Sequence, residues 1–109
     1  MAAEPPERIF HIARVADWEA AQVVGEYRVS TLGRSLEQEG FLHASHAGQW
    51  QAVYDAFYAG LDDPVVLLEI DAALLGVPVV EEAPPGTDAV FPHIYGPLPV
   101  AAVVAITPL

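Results

Sequence analysis

Val65-Val66-Leu67-Leu68-Glu69-Ile70-Asp71 is the stretch on which the reading of the fold turns. It is a nearly continuous apolar run containing β-branched residues, the pattern of a strand buried at the centre of a sheet. Leu61-Asp62-Asp63-Pro64 supplies the turn that introduces it. Before that turn, Trp50, Val53, Tyr54 and Phe57 recur at helical spacing, with Ser45 placed to cap the helix and Gly60 to end it. Beyond the central run, Val77 to Glu82 reads as another strand and Ala83 to Asp88 as a loop. Val90 to Tyr95 resumes extended structure, in which Pro92 favours an edge or bulged position, and Val100 to Ile106 closes the chain as a last strand.

The first third holds smaller pieces. Arg8 to Ala13 is short, partly alternating and β-prone, which predicts a first strand after a flexible lead over residues 1–7. Asp17 is placed to cap a helix running through Trp18 to Val24, with Gly25 as its terminator. Tyr27 to Ser30 is a brief extended piece. Ser35-Leu-Glu-Gln38 has the form of a capping box, stopped by Gly40. Helices early and strands late predict an α+β class, and 109 residues predict one domain, spanning 8–109.

Composition narrows the function classes. Hydrophobic residues make up 53% and charged residues 17%, so the chain can bury enough apolar surface to fold alone. No apolar run approaches the roughly 20 residues of a membrane span. The start of the chain lacks the basic and apolar regions of a secretory signal, which predicts a cytoplasmic protein, while a chain without cysteine gives no reading of its redox compartment. The net charge is −11, there is no lysine, and all four arginines lie in the first third. Such a field repels polyphosphate chains and argues against a nucleic-acid partner, while a small anion beside the arginines stays possible.

The residues with chemistry to offer are the four histidines, three of them on extended segments. Histidine serves acid-base work and ligation near neutral pH. His43 and Ser45 stand where a strand end meets a helix start, a place that binds anions, although Ser45 as a cap and His43 as packing is the plainer reading. His93 and Tyr95 are two apart on an extended segment and share a face, so both can look into one cleft. His43 and His46 with a carboxylate would supply three metal ligands, a weak signal without further motif support. Trp18, Trp50, Tyr54, Phe57 and Tyr58 read as core, with Tyr27 and Tyr58 also candidates for a pocket wall. Asp62-Asp63 and Glu81-Glu82 read as solvated turns or strand ends.

An ordered series of segments carries a resemblance over nearly the whole chain. It comprises Ile9-Phe-His-Ile12, Trp18, Gly25-x-Tyr27, Ser35-Leu36, Glu39-Gly-Phe-Leu-His-Ala-Ser45 with Gln49, Phe57-Tyr-x-Gly60, Val66-Leu-Leu-x-Ile-Asp71, Glu82 and Phe91-Pro-His-Ile-Tyr-Gly-Pro-Leu98. The chain thus resembles the bacterial family named domain of unknown function 952. That resemblance implies an ADP-ribosyltransferase-like fold, a mixed sheet split around a cleft that holds NAD in active relatives. It implies dinucleotide contacts from His11, His43 and Ser45, and a catalytic region at His43, His93 and Tyr95. A histidine stands where such enzymes carry a glutamate, which weakens the expectation of ordinary ADP-ribose transfer to protein.

The expectation is therefore a small-molecule site for NAD or a related nucleotide, serving an ADP-ribosyl or similar glycosyl transfer to an unassigned acceptor. A non-catalytic binding or interaction module is the alternative, and a metal-dependent enzyme using His43 and His46 is a third.

Overall fold

A computed structural model describes residues 7–109. Residues 1–6, most of the expected flexible lead, lie outside the described residues. The run Val65–Asp71 forms strand β6, the middle strand of a three-stranded sheet. Its neighbours are β1 (Arg8–Arg14) and β10 (Val103–Pro108).

This sheet is covered on both faces, which is why its central sequence is continuously apolar. One face carries Ile9, Ala13, Val66, Leu68 and Ile70 into the main core, with Trp18 and Ala21 of α1 (Val15–Val24) and with Tyr27, Leu42, Ile94 and Leu98. The other carries Phe10, Ile12, Val65 and Leu67 against Tyr58 and against Trp50, Val53 and Tyr54 of α3 (Trp50–Phe57). Alternation along the strands sorts the two sets.

The first third folds as short elements. Gly25 ends α1 in the left-handed region, at φ 93°, its N–H bonded to the carbonyl of Ala21. Asp17 sits inside the first turn of α1 rather than capping it, and accepts from Arg14 Nε instead. Strands β2 (Glu26–Tyr27), β3 (Val29–Thr31) and β4 (Arg34–Ser35) follow, with β2 paired to β9 (Leu98–Pro99) and β3 to β4. Ser35 and Gln38 form the expected capping box over α2 (Leu36–Glu39).

A second three-stranded sheet holds β5 (Leu42–His43), β8 (Phe91–Ile94) and β7 (Val79–Glu82), with β8 in the middle. Pro92 is therefore on a central strand in regular register, neither the edge nor the bulge expected for it. The ladder accommodates it because β5 is only two residues long. Ala44 N–H donates to the Pro92 carbonyl at 3.1 Å, and proline has no N–H to return the bond. There the chain leaves β8, and Ser45 pairs with Phe10 of β1 through two backbone bonds of 2.7 and 2.8 Å. That single bridge joins the two sheets.

Every strand pairing among the described residues is antiparallel, so the expected mixed sheet gives way to several small antiparallel ones. A parallel pair needs a crossover, and each of the three α-helices connects strands of different sheets. The architecture is α+β, with several small sheets and few helices. Among the described residues, no helix is long and apolar enough to cross a membrane.

Ser45 does not cap α3. The helix starts five residues later, after Gln49, which makes no side-chain cap bond. Phe57, expected in the core, is 67% exposed because α3 presents its other side to the sheet. The last strand starts later than expected, Val100–Ala102 forming a 3-10 turn before it.

Gly96 tests the packing of the β8 end. A Cβ built there would lie 2.6 Å from Val77 Cγ1. We expect Gly96→Ala to cost about 1–3 kcal/mol, as overpacking does, and Val77→Ala in the same chain to recover part of it. Urea midpoints of the single and double variants check this; an unchanged midpoint for Gly96→Ala contradicts it.

Candidate functional site

The two sheets diverge on either side of the Phe10–Ser45 bridge and leave a cavity of about 300 Å³. Its walls come from β1 (Phe10, Ile12), the α3 region (Val53, Phe57, Tyr58) and the second sheet (Phe91, His93). His11, His43 and Ser45 also line it, as do Ser30 and Thr31. His11, His43 and His93, far apart in the chain, thus meet at one place.

Strand alternation explains the second sheet's contribution. His43 is directly opposite His93 in the β5–β8 register, and Val80 is opposite His93 in the β7–β8 register. The side chains of His43, Phe91, His93, Tyr95 and Glu82 therefore share one face, while Leu42 and Ile94 point into the core from the other. Phe41 stacks on His93 with ring centroids 4.1 Å apart, and the His43 ring meets His93 edge-on at 5.4 Å.

The three histidines differ in what their ring nitrogens do. His11 is buried, and its Nδ1–H donates to the His43 carbonyl at 2.5 Å. Nε2 must then accept, and the Tyr27 hydroxyl donates to it at 3.0 Å. Burial pushes the His11 pKa down from 6.5 to about 4, so the ring is neutral in the native state. Burial likewise pushes the Tyr27 phenol up, leaving it a secure donor. Both His11 nitrogens are occupied within the protein, and the ring ties β1 to β5 directly behind the cavity.

His43 is half-exposed, with Nε2 3.5 Å from Glu39 Oε1. Burial lowers its pKa, Glu39 opposes that, and the neighbouring His93 adds to it. His93 is buried; its Nδ1 is 2.9 Å from Glu82 Oε1, and its Nε2 is buried without a partner. Tyr95 donates its hydroxyl to the same Glu82 oxygen. Those two bonds, Tyr95 first, hold the Glu82 carboxyl below the usual carboxylate range.

Tyr95 reaches the site only through Glu82 and through the Phe41 ring, 5.5 Å from its own; it does not line the cavity. Ser45 is buried and lines the cavity, held there by the bridge to Phe10. Glu82, read from the sequence as a solvated strand end, is the partner of both His93 and Tyr95. Strand alternation was the signal for it: Glu82 and Val80 fall on one face of β7, and only the pairing register shows that His93 is on that face too.

His43 and His46 do not share a metal-binding position. His46 lies instead between Glu81, 2.6 Å from Nε2, and Glu7, 3.8 Å from Nδ1. These two carboxylates and His46 are the one cluster with metal-ligand spacing among the described residues. The two acids face different ring nitrogens, so one ion at the imidazole would require one carboxylate to move. The arginines offer no free anion site either. Arg8 pairs with Glu69 and Asp71, Arg14 with Asp17 and Asp63, Arg28 with Glu26 and Glu37, and Arg34 with Glu39.

No functionally curated protein matches the chain. Among solved structures, the crystal structure of protein CC0527 from Caulobacter crescentus is similar, at 33% identity and a TM-score of 0.79, over 94% of this chain and 85% of that one. The solution NMR structure of CC0527 gives 33% identity and a TM-score of 0.75, over 94% and 84%. The sequence profile of the DUF952 family, described as protein of unknown function, matches residues 12–106. That match includes the cavity residues from Ile12 through His43 and Ser45 to His93, and the chain belongs to the DUF952 family.

Proposed function

We propose that the cavity is a small-molecule site for NAD or a related nucleotide, in an ADP-ribosyltransferase-like cleft that serves glycosyl transfer to an acceptor. The observation that carries this reading is the meeting of His11, His43, Ser45 and His93 at one cavity between two split sheets. A volume of about 300 Å³ is at the small end for ligand sites, enough for a ring and its sugar with the remainder at the open mouth. Aromatic walls favour a planar heterocycle, and the imidazoles of His43 and His93 favour ribose oxygens.

Binding without turnover is the second reading, and one observation favours it. Among the described residues no carboxylate lines the cavity, and Glu82 engages the His93 ring instead. An oxocarbenium-like ribose would have no anion beside it.

Calorimetric titration with NAD, alongside an assay of nicotinamide release, separates the two readings. We expect saturable binding that weakens about tenfold in His43→Ala, the loss of one buried polar contact. Release of nicotinamide by the wild type and its loss in His43→Ala supports the transferase. Binding without release supports the binding module, and absence of binding rejects the nucleotide site.

A further inference from the structure

The His93 ring is anchored from one side only. Glu82, held ionised by the hydroxyl of Tyr95 and by His93 itself, can only accept, so the proton on Nδ1 faces the carboxylate. In the neutral ring Nε2 then carries a lone pair, and that nitrogen is buried without a partner in the protein. His93 itself is only 4% exposed and lines the cavity. Buried polar atoms are nearly always paired, so an unpaired one in a ligand-sized cavity marks where a ligand atom belongs.

The rest of the wall says what that atom is. Among the described residues, the cavity lining includes no arginine, lysine, aspartate or glutamate. Each arginine of the chain is engaged by carboxylates elsewhere. His11 is neutral with both nitrogens occupied, and burial together with His93 disfavours protonation of His43. An enclosed phosphate would be desolvated with no fixed cation to receive it, in a chain of net charge −11. A neutral O–H or N–H has no such penalty and finds an acceptor waiting.

We propose that His93 Nε2 accepts a hydrogen bond from an uncharged donor of the ligand, a hydroxyl or an amide N–H. Glu82 and Tyr95 are the positioning residues that hold the neutral ring in its Nδ1–H tautomer. The enclosed part of the ligand is then of nucleoside type, a ring bearing an alcohol or amide, with any phosphate outside. This rests on the nucleotide reading and narrows it.

Two measurements test it on the full chain. Histidine-selective 15N NMR reads the tautomer: His93 is expected as the Nδ1–H form, with that preference lost in Glu82→Gln and weakened in Tyr95→Phe. Folding of both variants is verified by circular dichroism. A wild-type His93 in the Nε2–H form overturns the acceptor role whether or not any ligand binds.

Calorimetry then compares an uncharged riboside, adenosine, with NAD. Riboside affinity within about tenfold of that of NAD, falling about tenfold in Glu82→Gln, supports the proposal. Binding of NAD with none of the riboside overturns it and leaves the nucleotide site standing. Binding of neither rejects the nucleotide reading and this narrowing with it.

Discussion

Acidification from pH 6.5 to pH 4 is expected to remove about 3 kcal/mol of folding stability through one buried imidazole, that of His11. The native ring takes a proton only near pH 4, whereas an unfolded histidine takes it near 6.5. Between those values the unfolded state binds the proton and the native state does not, so stability falls as pH falls. Above 6.5 the contribution is fully present, and below 4 no more is lost. The structural cause is the burial of the ring, which disfavours its charged form and outweighs the bond from Nδ1–H to the His43 carbonyl, which favours it.

His43, also shifted down, adds to the loss in the same direction. Glu82 and Glu37 are held below 4.5 and lose their contributions under more acidic conditions. Urea midpoints across pH 4 to 7 in the wild type and in His11→Gln isolate the His11 share. The variant starts less stable and has a flatter pH dependence. A slope equal to that of the wild type would place the acid sensitivity elsewhere.

Leu68→Ala is expected to cost about 2–5 kcal/mol, the range for emptying a well-packed leucine site. Leu68 is 0% exposed at the middle of the central strand, with His11 opposite it on β1 and Ile106 opposite it on β10. Both flanking strands hold the backbone in place, so the site collapses little when the side chain is removed. For a domain of this size the cost is a large part of a total of roughly 5–15 kcal/mol. Val104→Ala is the control, because Val104 is on the exposed edge strand β10 and its change should stay within about 0.5 kcal/mol. Chemical denaturation reads both, and a Leu68→Ala cost below that of the control would remove the run 65–71 from the centre of the fold.

The elements with a strong local signature were legible in advance. The apolar run of β6, the capping box at Ser35 and the glycine stop at Gly25 each depend on residues within a few positions of one another. Where the decisive partner is distant, local reading failed. Ser45 looked like a helix cap because a serine before a helical pattern usually is one; its backbone instead pairs with Phe10, 35 residues away in sequence. Pro92 looked like an edge residue because it lacks an N–H, yet β5 ends where that N–H would have been used.

The candidate site divides along the same line. Residue type and alternation alone singled out His43, His93 and Tyr95, and placed the last two on one face. The sequence by itself determined an acidic α+β chain with a central buried strand and histidines on extended segments, since composition and periodicity are local properties. Only the tertiary structure decided that His11 is occupied on both nitrogens while His93 keeps one free, and that Glu82 is the reason. Strand register sets which side chains meet across a sheet, and register follows from the packing of the whole chain.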